Sequence, residues 1–256
     1  MRTRIDEVED RIYRISTFVP EVAEPAGLTF NQFLLDAEEP LLFHTGMRCL
    51  FPAVSEAVAK VMPIHRLRWI AFGHVEADEC GAMNDFLAAA PHAEVVSGVA
   101  ACELSVKDMT LRPPRPITDG EVLDIGGRHL RRHVRQIDTP HVPHNQESQV
   151  MFEEETETLF CGDLFTHSGK GAPVTGDDLV ERALDTEADL RFTSCLTAVT
   201  ATLRSLAGLS PGTLAIMHGS CFRGDGAWAL KTLADGYESR FTPEVGFATT
   251  TGALRG

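Results

Sequence analysis

The chain has 256 residues, of which 43% are hydrophobic and 23% are charged, as in an ordinary globular protein. This length allows one large domain or two small ones with a sizeable buried core. The formal net charge of −14 argues against nucleic acid or an anionic membrane surface as the main partner, because both attract basic proteins.

The sequence carries no visible targeting signal and no cysteine framework. The N-terminal segment MRTRIDEVED lacks the apolar core of a secretory signal. No apolar stretch approaches the ~18 residues that a membrane-spanning helix needs. The six cysteines form no C-x-x-C pair, so neither a disulfide framework nor a rubredoxin-type or zinc-ribbon site is expected. We therefore expect a cytoplasmic protein with reduced thiols.

The first half of the chain alternates predicted strands with predicted helices. Apolar runs predict strands at 11–17, 28–37, 40–46, 66–73 and 92–98. Helical spacing predicts helices at 51–62, where Pro52 suits a first turn, and at 80–90.

A second strand-rich part follows a proline-rich segment at 113–116. Strands are predicted at 121–127, 129–139, 148–155, 158–165 and 213–220. A long helical region is predicted at 177–206, and a last helix at 225–241. Two β-then-α halves within one domain over residues 1–256 are the architecture that this order favours.

Histidines and carboxylates follow several of the apolar strands. They are His74, Glu76 and Asp78 after WIAFG, His141 and His144 after VRQIDTP, Asp163 after TLFCG, and His218 after TLAIM. Loops that leave strand ends are where ligands and catalytic groups gather in α/β folds. Four strand ends that each deliver such residues predict a metal site.

The segment HVEADECGA contains the densest group of these residues. In H-x-E-x-D, alternate residues of an extended chain point the same way, so His74, Glu76 and Asp78 can converge. The helix that follows places its positive N-terminal end beside the acids. Taken alone, Asp78 or Glu79 could instead cap that helix.

The order H-x-E-x-D, His, Asp and His resembles the metallo-β-lactamase superfamily, whose usual first motif is H-x-H-x-D-H. With Glu76 in place of the second histidine, the chain resembles the diiron domain of flavodiiron proteins, which are oxygen or nitric oxide reductases. The segments HVEADECGA, TPHVPHNQES, TLFCGDLF and IMHGS carry the resemblance. It covers most of the chain and implies an αββα sandwich of the metallo-β-lactamase type.

The resemblance implies a dinuclear site with six ligands. One metal would be held by His74, Glu76 and His144, the second by Asp78 and His218, and Asp163 would bridge the two. His144 fits the family's spacing to the following strand better than His141, although the reverse assignment stays open. His141 would then line the pocket.

Three further residues stand close to these motifs. Family members usually carry a histidine directly after the aspartate, where this chain has Glu79. Glu79 could supply an oxygen ligand or turn away and leave a coordination position open. His167 could line the pocket, and His44 is expected to be structural or to form a pocket wall.

The predicted ligand set is rich in oxygen donors, with three imidazoles and three or four carboxylates. Such a set favours two iron ions over zinc, while zinc or manganese remain open. The resemblance therefore implies a diiron protein that binds or reduces dioxygen or nitric oxide, small diatomic gases. The alternative is a dinuclear metallohydrolase acting on a phosphoester, thioester or lactone.

Flavodiiron proteins carry a flavodoxin domain after the diiron domain, and this chain ends at TTTGALRG. We therefore expect no flavodoxin or rubredoxin domain, and electrons from a separate partner protein if the site turns over. The resemblance also suggests a head-to-tail homodimer. The remaining histidines, His65, His92, His129 and His133, are expected to have no role, and Cys161 and Cys221 are expected to be buried rather than ligands.

Overall fold

Two seven-stranded β-sheets pack face to face, with helices on both outer surfaces. The structure is a computed structural model that describes residues 3–126 and 131–241. The order of layers is helix, sheet, sheet, helix, so the predicted αββα sandwich is confirmed. His129 and the C-terminal TTTGALRG lie outside the described residues.

The first sheet is built by the N-terminal half of the chain. Its strands, in spatial order, are β1 (Thr3–Glu9), β2 (Ile12–Val19), β3 (Leu28–Leu35), β4 (Leu41–Phe43), β5 (Trp69–Ala71), β6 (Glu94–Gly98) and β7 (Arg115–Ile117). Strands β1 to β4 pair antiparallel, and β4 to β7 pair parallel. The carboxyl ends of β4, β5 and β6 therefore lie at one edge of the sandwich.

The second sheet is built by the C-terminal half. Its strands are β8 (Val122–Asp124), β9 (His133–Asp138), β10 (Gln149–Glu153), β11 (Thr158–Phe160), β12 (Val174–Thr175), β13 (Thr213–Ala215) and β14 (Cys221–Arg223), in the spatial order β12-β14-β13-β11-β10-β9-β8. Strands β11 and β13 are parallel neighbours. Their carboxyl ends lie side by side, because Cys161 donates its N–H to Ala215 and Met217 donates its N–H to Gly162.

The helices cover the two outer faces. The first half contributes α1 (Phe51–Ala59), α2 (Ala77–Cys80), α3 (Met83–Ala89), α4 (Val99–Ala101), a π-helical stretch at Cys102–Val106 and α5 (Lys107–Met109). The second half contributes α6 (Val180–Leu190), α7 (Leu196–Ala207) and α8 (Gly226–Phe241). Among the described residues, no helix is both long and apolar enough to cross a membrane.

Three apolar layers hold the sandwich together. Between the sheets, the ring of Phe160 lies 5.3 Å from that of Phe43 and 5.7 Å from that of Phe33, measured between centroids. Outside the first sheet, Val54 of α1 and Phe86 of α3 are fully buried. A matching layer lies between the second sheet and helices α6 to α8. Burial of apolar surface in these layers is the main stabilising contribution.

The described structure differs from the sequence-based expectations in several places. The short strands β7, β12 and β14 were not predicted, and the helix predicted at 80–90 is divided into α2 and α3. The helical region predicted at 177–206 is two helices, because Arg191 adopts a left-handed conformation with φ of 53° and ends α6. Strand β1 was not predicted, since its sequence TRIDEVE is strongly charged. It is an edge strand, where charged residues are well tolerated.

Candidate metal centre

The six predicted ligands come together at one edge of the sandwich, and both sheets supply them. The first sheet contributes the three residues that follow β5, and the second contributes one residue after each of β9, β11 and β13: in order, His74, Glu76 and Asp78, then His144, Asp163 and His218. The sheets are joined at this edge by Gln149, whose N–H donates to the carbonyl of Gly73 at 2.8 Å.

Four of these residues converge on one point. His74 Nε2 lies 2.8 Å from Glu76 Oε2 and 2.9 Å from His144 Nε2. Asp163 Oδ2 lies 3.7 Å from His74 Nε2 and 3.5 Å from His144 Nε2. One donor atom from each residue falls within 4.8 Å of all the others. Donors about 2.1 Å from a shared ion lie roughly 3.0–3.5 Å apart for tetrahedral or octahedral angles, so the spacing fits one metal ion.

A second group shares Asp163 with the first. His218 Nε2 lies 3.2 Å from Asp78 Oδ2 and 3.3 Å from Asp163 Oδ1. The two oxygens of the Asp163 carboxylate therefore face different groups, Oδ2 toward His74 and His144, and Oδ1 toward His218. This is the arrangement that a carboxylate bridging two metal ions requires.

Buried carboxylate oxygens that have no hydrogen-bond partner also suit a site for two metal ions. Asp78 Oδ1 and Asp163 Oδ1 are buried and accept no hydrogen bond in the described structure. Buried carboxylate oxygens are costly unless they are hydrogen-bonded or bind a cation. Oxygen and imidazole donors together suit iron, manganese or zinc.

The far sides of two imidazole rings are held by other groups. His74 Nδ1 lies 3.2 Å from Glu79 Oε1, and His218 Nδ1 donates to the carbonyl of Thr29 at 2.8 Å. A proton held on Nδ1 leaves the Nε2 lone pair free to face the centre. Such outer contacts to a carboxylate or carbonyl are usual behind metal-binding histidines.

Glu79 is fully buried and lies behind His74 rather than among the converging donors. Its Oε2 accepts the backbone N–H of His74 at 2.6 Å, and its Oε1 lies 3.3 Å from His44 Nε2. A Cβ at Gly73 would lie 3.1 Å from both Glu79 oxygens, so glycine gives the carboxylate room. Of the two alternatives for Glu79, the structure places it turned away from the predicted metal positions.

Each buried imidazole at the centre lies beside carboxylates that favour its charged form. Burial opposes the charged form of His74, but Glu79 and Glu76 outweigh it and raise the pKa of His74 to about 12. Burial likewise opposes the charged form of His218, but Asp163 and Asp78 raise its pKa to about 10. Hydrogen bonds from the imidazoles hold the pKa of Glu76 well below its usual range. Without metal, protons take the positions between these donors, and a metal cation must displace them.

The other predicted pocket residues lie elsewhere. His141 is exposed, with a φ of 65°, and is not among the converging donors. His167 is buried; its Nδ1 lies 2.9 Å from the Phe165 carbonyl, and its Nε2 accepts the N–H of Ser220 at 2.9 Å. Both ring nitrogens of His167 are therefore occupied by the backbone. Its ring packs where a Cβ at Gly219 would stand, 2.2 Å away.

Sequence reasoning missed the residues that support the His218 loop from the first sheet. Asn31 Nδ2 donates to the carbonyls of Ile216 at 2.8 Å and Gly219 at 2.9 Å. Thr29 Oγ1 accepts the N–H of Gly219 at 2.7 Å. The signal was present, since Thr29 and Asn31 are polar residues among the leucines and phenylalanines of β3. Cys161 and Cys221 are buried as predicted.

Comparisons with known proteins bear on the family and the fold of the chain. A family model described as ODP family beta lactamase matches residues 28–189. Among curated proteins, the putative diflavin flavoprotein A 1 of Thermosynechococcus vestitus is 28% identical over 160 residues, which is 62% of this chain and 26% of that protein.

Two solved structures are similar over 92–93% of the chain. The rubredoxin oxygen:oxidoreductase of Desulfovibrio gigas has a TM-score of 0.79 at 18% identity, with 61% of that chain covered. The flavodiiron protein of Giardia intestinalis has a TM-score of 0.79 at 16% identity, with 60% of that chain covered. At these identities the likeness concerns the fold.

The chain thus spans about a quarter of the curated relative and about three fifths of each structural neighbour. The predicted resemblance to the diiron domain of flavodiiron proteins is confirmed, and so is the metallo-β-lactamase type of fold. Because the family model covers well over half of the residues, the chain belongs to the ODP family of beta-lactamases.

Proposed function

We propose that this chain is a dinuclear non-haem iron protein that reacts with dioxygen or nitric oxide, with electrons supplied by a separate protein when it turns over. The observation that carries the proposal is the Asp163 carboxylate, whose two oxygens face two separate groups of donors. A carboxylate in that position can keep two ions close enough for one small molecule to contact both.

The donor set supports iron over zinc in this proposal. His74, Glu76, His144 and Asp163 would hold one ion, and Asp78, His218 and Asp163 the other. This set contains more carboxylates than a catalytic zinc site usually has, and carboxylates favour harder, higher-valent ions. Two iron ions held in this way would supply reversible electron transfer to a bound diatomic gas.

The protein residues would then position and charge-balance the ions. Glu79 and Thr29 hold the rings of His74 and His218 with Nε2 facing inward. Glu76, whose side chain is 53% exposed, lies at the solvent side of the group. Its low pKa keeps it ionised at neutral pH, so it would act as a ligand rather than as a proton donor.

The relatives' names support the same class of reaction. The Desulfovibrio gigas neighbour is named as an oxidoreductase for rubredoxin and oxygen, and the Giardia neighbour as a flavodiiron protein. Reducing dioxygen to water consumes more electrons than two ferrous ions hold, so continued turnover requires a donor. We propose that this donor is a separate protein.

The test begins with metal content and then follows reactivity. The purified protein, loaded anaerobically with ferrous iron, should bind two iron ions per chain by elemental analysis. Mixing it with oxygenated buffer in a stopped-flow spectrometer should give a rapid change in near-ultraviolet and visible absorbance, together with loss of dissolved oxygen.

The hydrolase alternative is assayed on the same preparation. The zinc-loaded protein is screened against phosphoesters, thioesters and lactones. No absorbance change with iron, combined with robust hydrolysis by the zinc form, would replace this proposal with the hydrolase.

A further inference from the structure

A cavity of about 290 Å³ with several charged residues in its walls is lined by the first three strands and the loop that precedes β12. Its walls include Arg4 and Asp6 of β1, Arg14 and Ser16 of β2, Thr29 of β3, and Lys170. None of the six predicted metal ligands is among the described residues that line it. The cavity is therefore separate from the metal centre.

The polar residues occupy positions that a sandwich normally fills with apolar side chains. Alternate residues of a strand face the same side of a sheet, so Arg14 shares its face with Ile12. Ile12 belongs to the apolar layer between the sheets. Across the strands, Asp6 pairs with Arg14 and Arg4 pairs with Ser16. The inner face thus changes from apolar to charged toward this edge.

Arg14 is the central group of the cavity. Its side chain is only 4% exposed, and its Nη2 donates to the carbonyl of Gly219 at 2.8 Å. Its Nε has no hydrogen-bond partner, and neither does the buried Oδ2 of Asp6. A buried guanidinium with an unused donor is costly, and an oxyanion is the partner that its geometry suits best.

The other lining residues indicate which further chemical groups a ligand must carry. Lys170 and Arg4 are exposed at the mouth, and Lys170 Nζ lies 4.8 Å from the centre of the Phe18 ring. Asp6 and Glu21 are acceptors in the same lining, so a bare anion would leave them unmatched. The volume is near the lower limit for small-molecule sites.

We propose that this cavity binds a small polar organic molecule that carries one oxyanion group, a phosphate or a carboxylate, together with hydroxyl donors. The oxyanion would accept from Arg14 and Lys170, and the hydroxyls would donate to Asp6. None of the described residues that line the site is a predicted metal ligand.

The occupant would contact the same groups that fix the His218 loop. Arg14 holds the Gly219 carbonyl, and Thr29 accepts hydrogen bonds from both His218 and Gly219. Binding here would therefore be felt at the second metal position, and metal binding would alter affinity in the cavity by the same factor.

The test is isothermal titration calorimetry of the metal-free and metal-loaded protein with three related probes. Glycerol 3-phosphate and glycerate carry the oxyanion with hydroxyls, and glycerol carries hydroxyls alone. We expect one molecule of an oxyanion probe per chain in both forms of the protein, and no binding of glycerol. Whichever oxyanion probe binds more tightly identifies the anionic group.

Variants locate the site. Arg14→Gln should weaken binding about tenfold or more, because it removes a charged hydrogen-bond donor. Lys170→Gln tests the mouth with an exposed residue whose loss does not threaten folding, and it should weaken binding several-fold. Arg66→Gln, at an exposed residue of the Ile64–Arg66 turn, is the matched control and should bind as the unaltered protein does.

Three results would overturn the proposal. Binding that disappears on metal removal would place the probes at the metal centre. Binding that is unchanged by both Arg14→Gln and Lys170→Gln would place them elsewhere on the surface. Absence of binding for both oxyanion probes would exclude this ligand class.

Discussion

Asp163 differs from the other five predicted ligands because its two carboxylate oxygens face two separate groups of donors. Asp163→Asn should reduce bound metal more than a substitution at any other predicted ligand, since it affects both ions. The content measured by elemental analysis should fall from about two ions per chain to one or fewer.

The matched control is Asp108→Asn, a change at an exposed aspartate of α5. It should keep the full metal content, and circular dichroism should show both variants folded. Two ions per chain in Asp163→Asn would mean that this carboxylate does not bridge.

Glu79 acts on the metal centre through His74 in our interpretation. Glu79→Gln keeps the shape of the side chain but removes the charge that faces His74 Nδ1 and His44 Nε2. Loss of such an outer partner typically lowers metal affinity about ten- to a hundredfold. Competition with a coloured chelator measures this affinity, and Glu56→Gln at an exposed position of α1 is the control. An affinity equal to that of the control would refute the positioning role.

The converging residues could be predicted from sequence because each lies in a segment that follows a predicted strand. The direction of Glu79 could not be predicted, since it depends on how closely Gly73 and His44 approach after β4 and β5 pair. The exposure of His141 was also beyond sequence reasoning, because His141 and His144 share one loop and only its backbone path separates them.

At the scale of elements, the loop at 216–220 is held by a neighbouring loop, because the backbone N–H of Ser220 donates to His167 Nε2. Burial lowers the pKa of His167 to about 4 from its ordinary 6.5, so its Nε2 remains a neutral acceptor for Ser220. Between these two pH values the unfolded chain binds a proton at His167 and the folded protein does not. The free energy of unfolding is therefore not reduced by His167 above pH 6.5. It decreases as the pH falls toward 4, by up to roughly 3 kcal/mol.

Urea unfolding of the metal-free protein at about pH 7 and about pH 4.5 measures this effect. The loss of unfolding free energy between the two conditions should be smaller in His167→Gln, which keeps an acceptor for Ser220 but does not titrate. An equal loss in the variant and the unaltered protein would assign the acid sensitivity to other groups.

Element boundaries show the limit of pattern reading. The region 177–206 has helical spacing throughout, yet Arg191 turns left-handed and the chain resumes as α7 only at Leu196. The hydroxyl of Thr193 donates to the Glu187 carboxylate at 2.7 Å, a local contact that no periodicity reveals. The helix at 51–62 and the last helix were predicted within a few residues, because one face of each is apolar.

For the whole molecule, the order of strands and helices predicted two β-then-α halves in one domain. The two sheets with helices outside were implied by the resemblance to the metallo-β-lactamase superfamily. The inner layer was the clearest part, since strands such as β3 are buried at every residue. The least clear parts were the edge strands β1, β7 and β12 and the neighbouring β14, which are short or charged. Their pairing follows from the sandwich rather than from local preference.

Both predicted metal positions draw ligands from the two sheets. His74 and Glu76 from the first sheet meet His144 from the second, and Asp78 from the first meets His218 from the second. Metal ions in these positions would cross-link two layers that otherwise meet mainly through apolar contacts. Metal binding would therefore stabilise the contact between the two sheets.

Amide hydrogen exchange can detect this linkage. Removing the metals should speed exchange in the segments 72–80, 139–148 and 161–167, while the hairpin at 154–157, at the opposite end of β10, should exchange at its former rate. Equal acceleration at both ends of β10 would indicate a general loss of stability instead. The consequence reaches beyond chemistry at the centre: the supply of metal in the cell would set how long this edge of the fold stays closed to proteases.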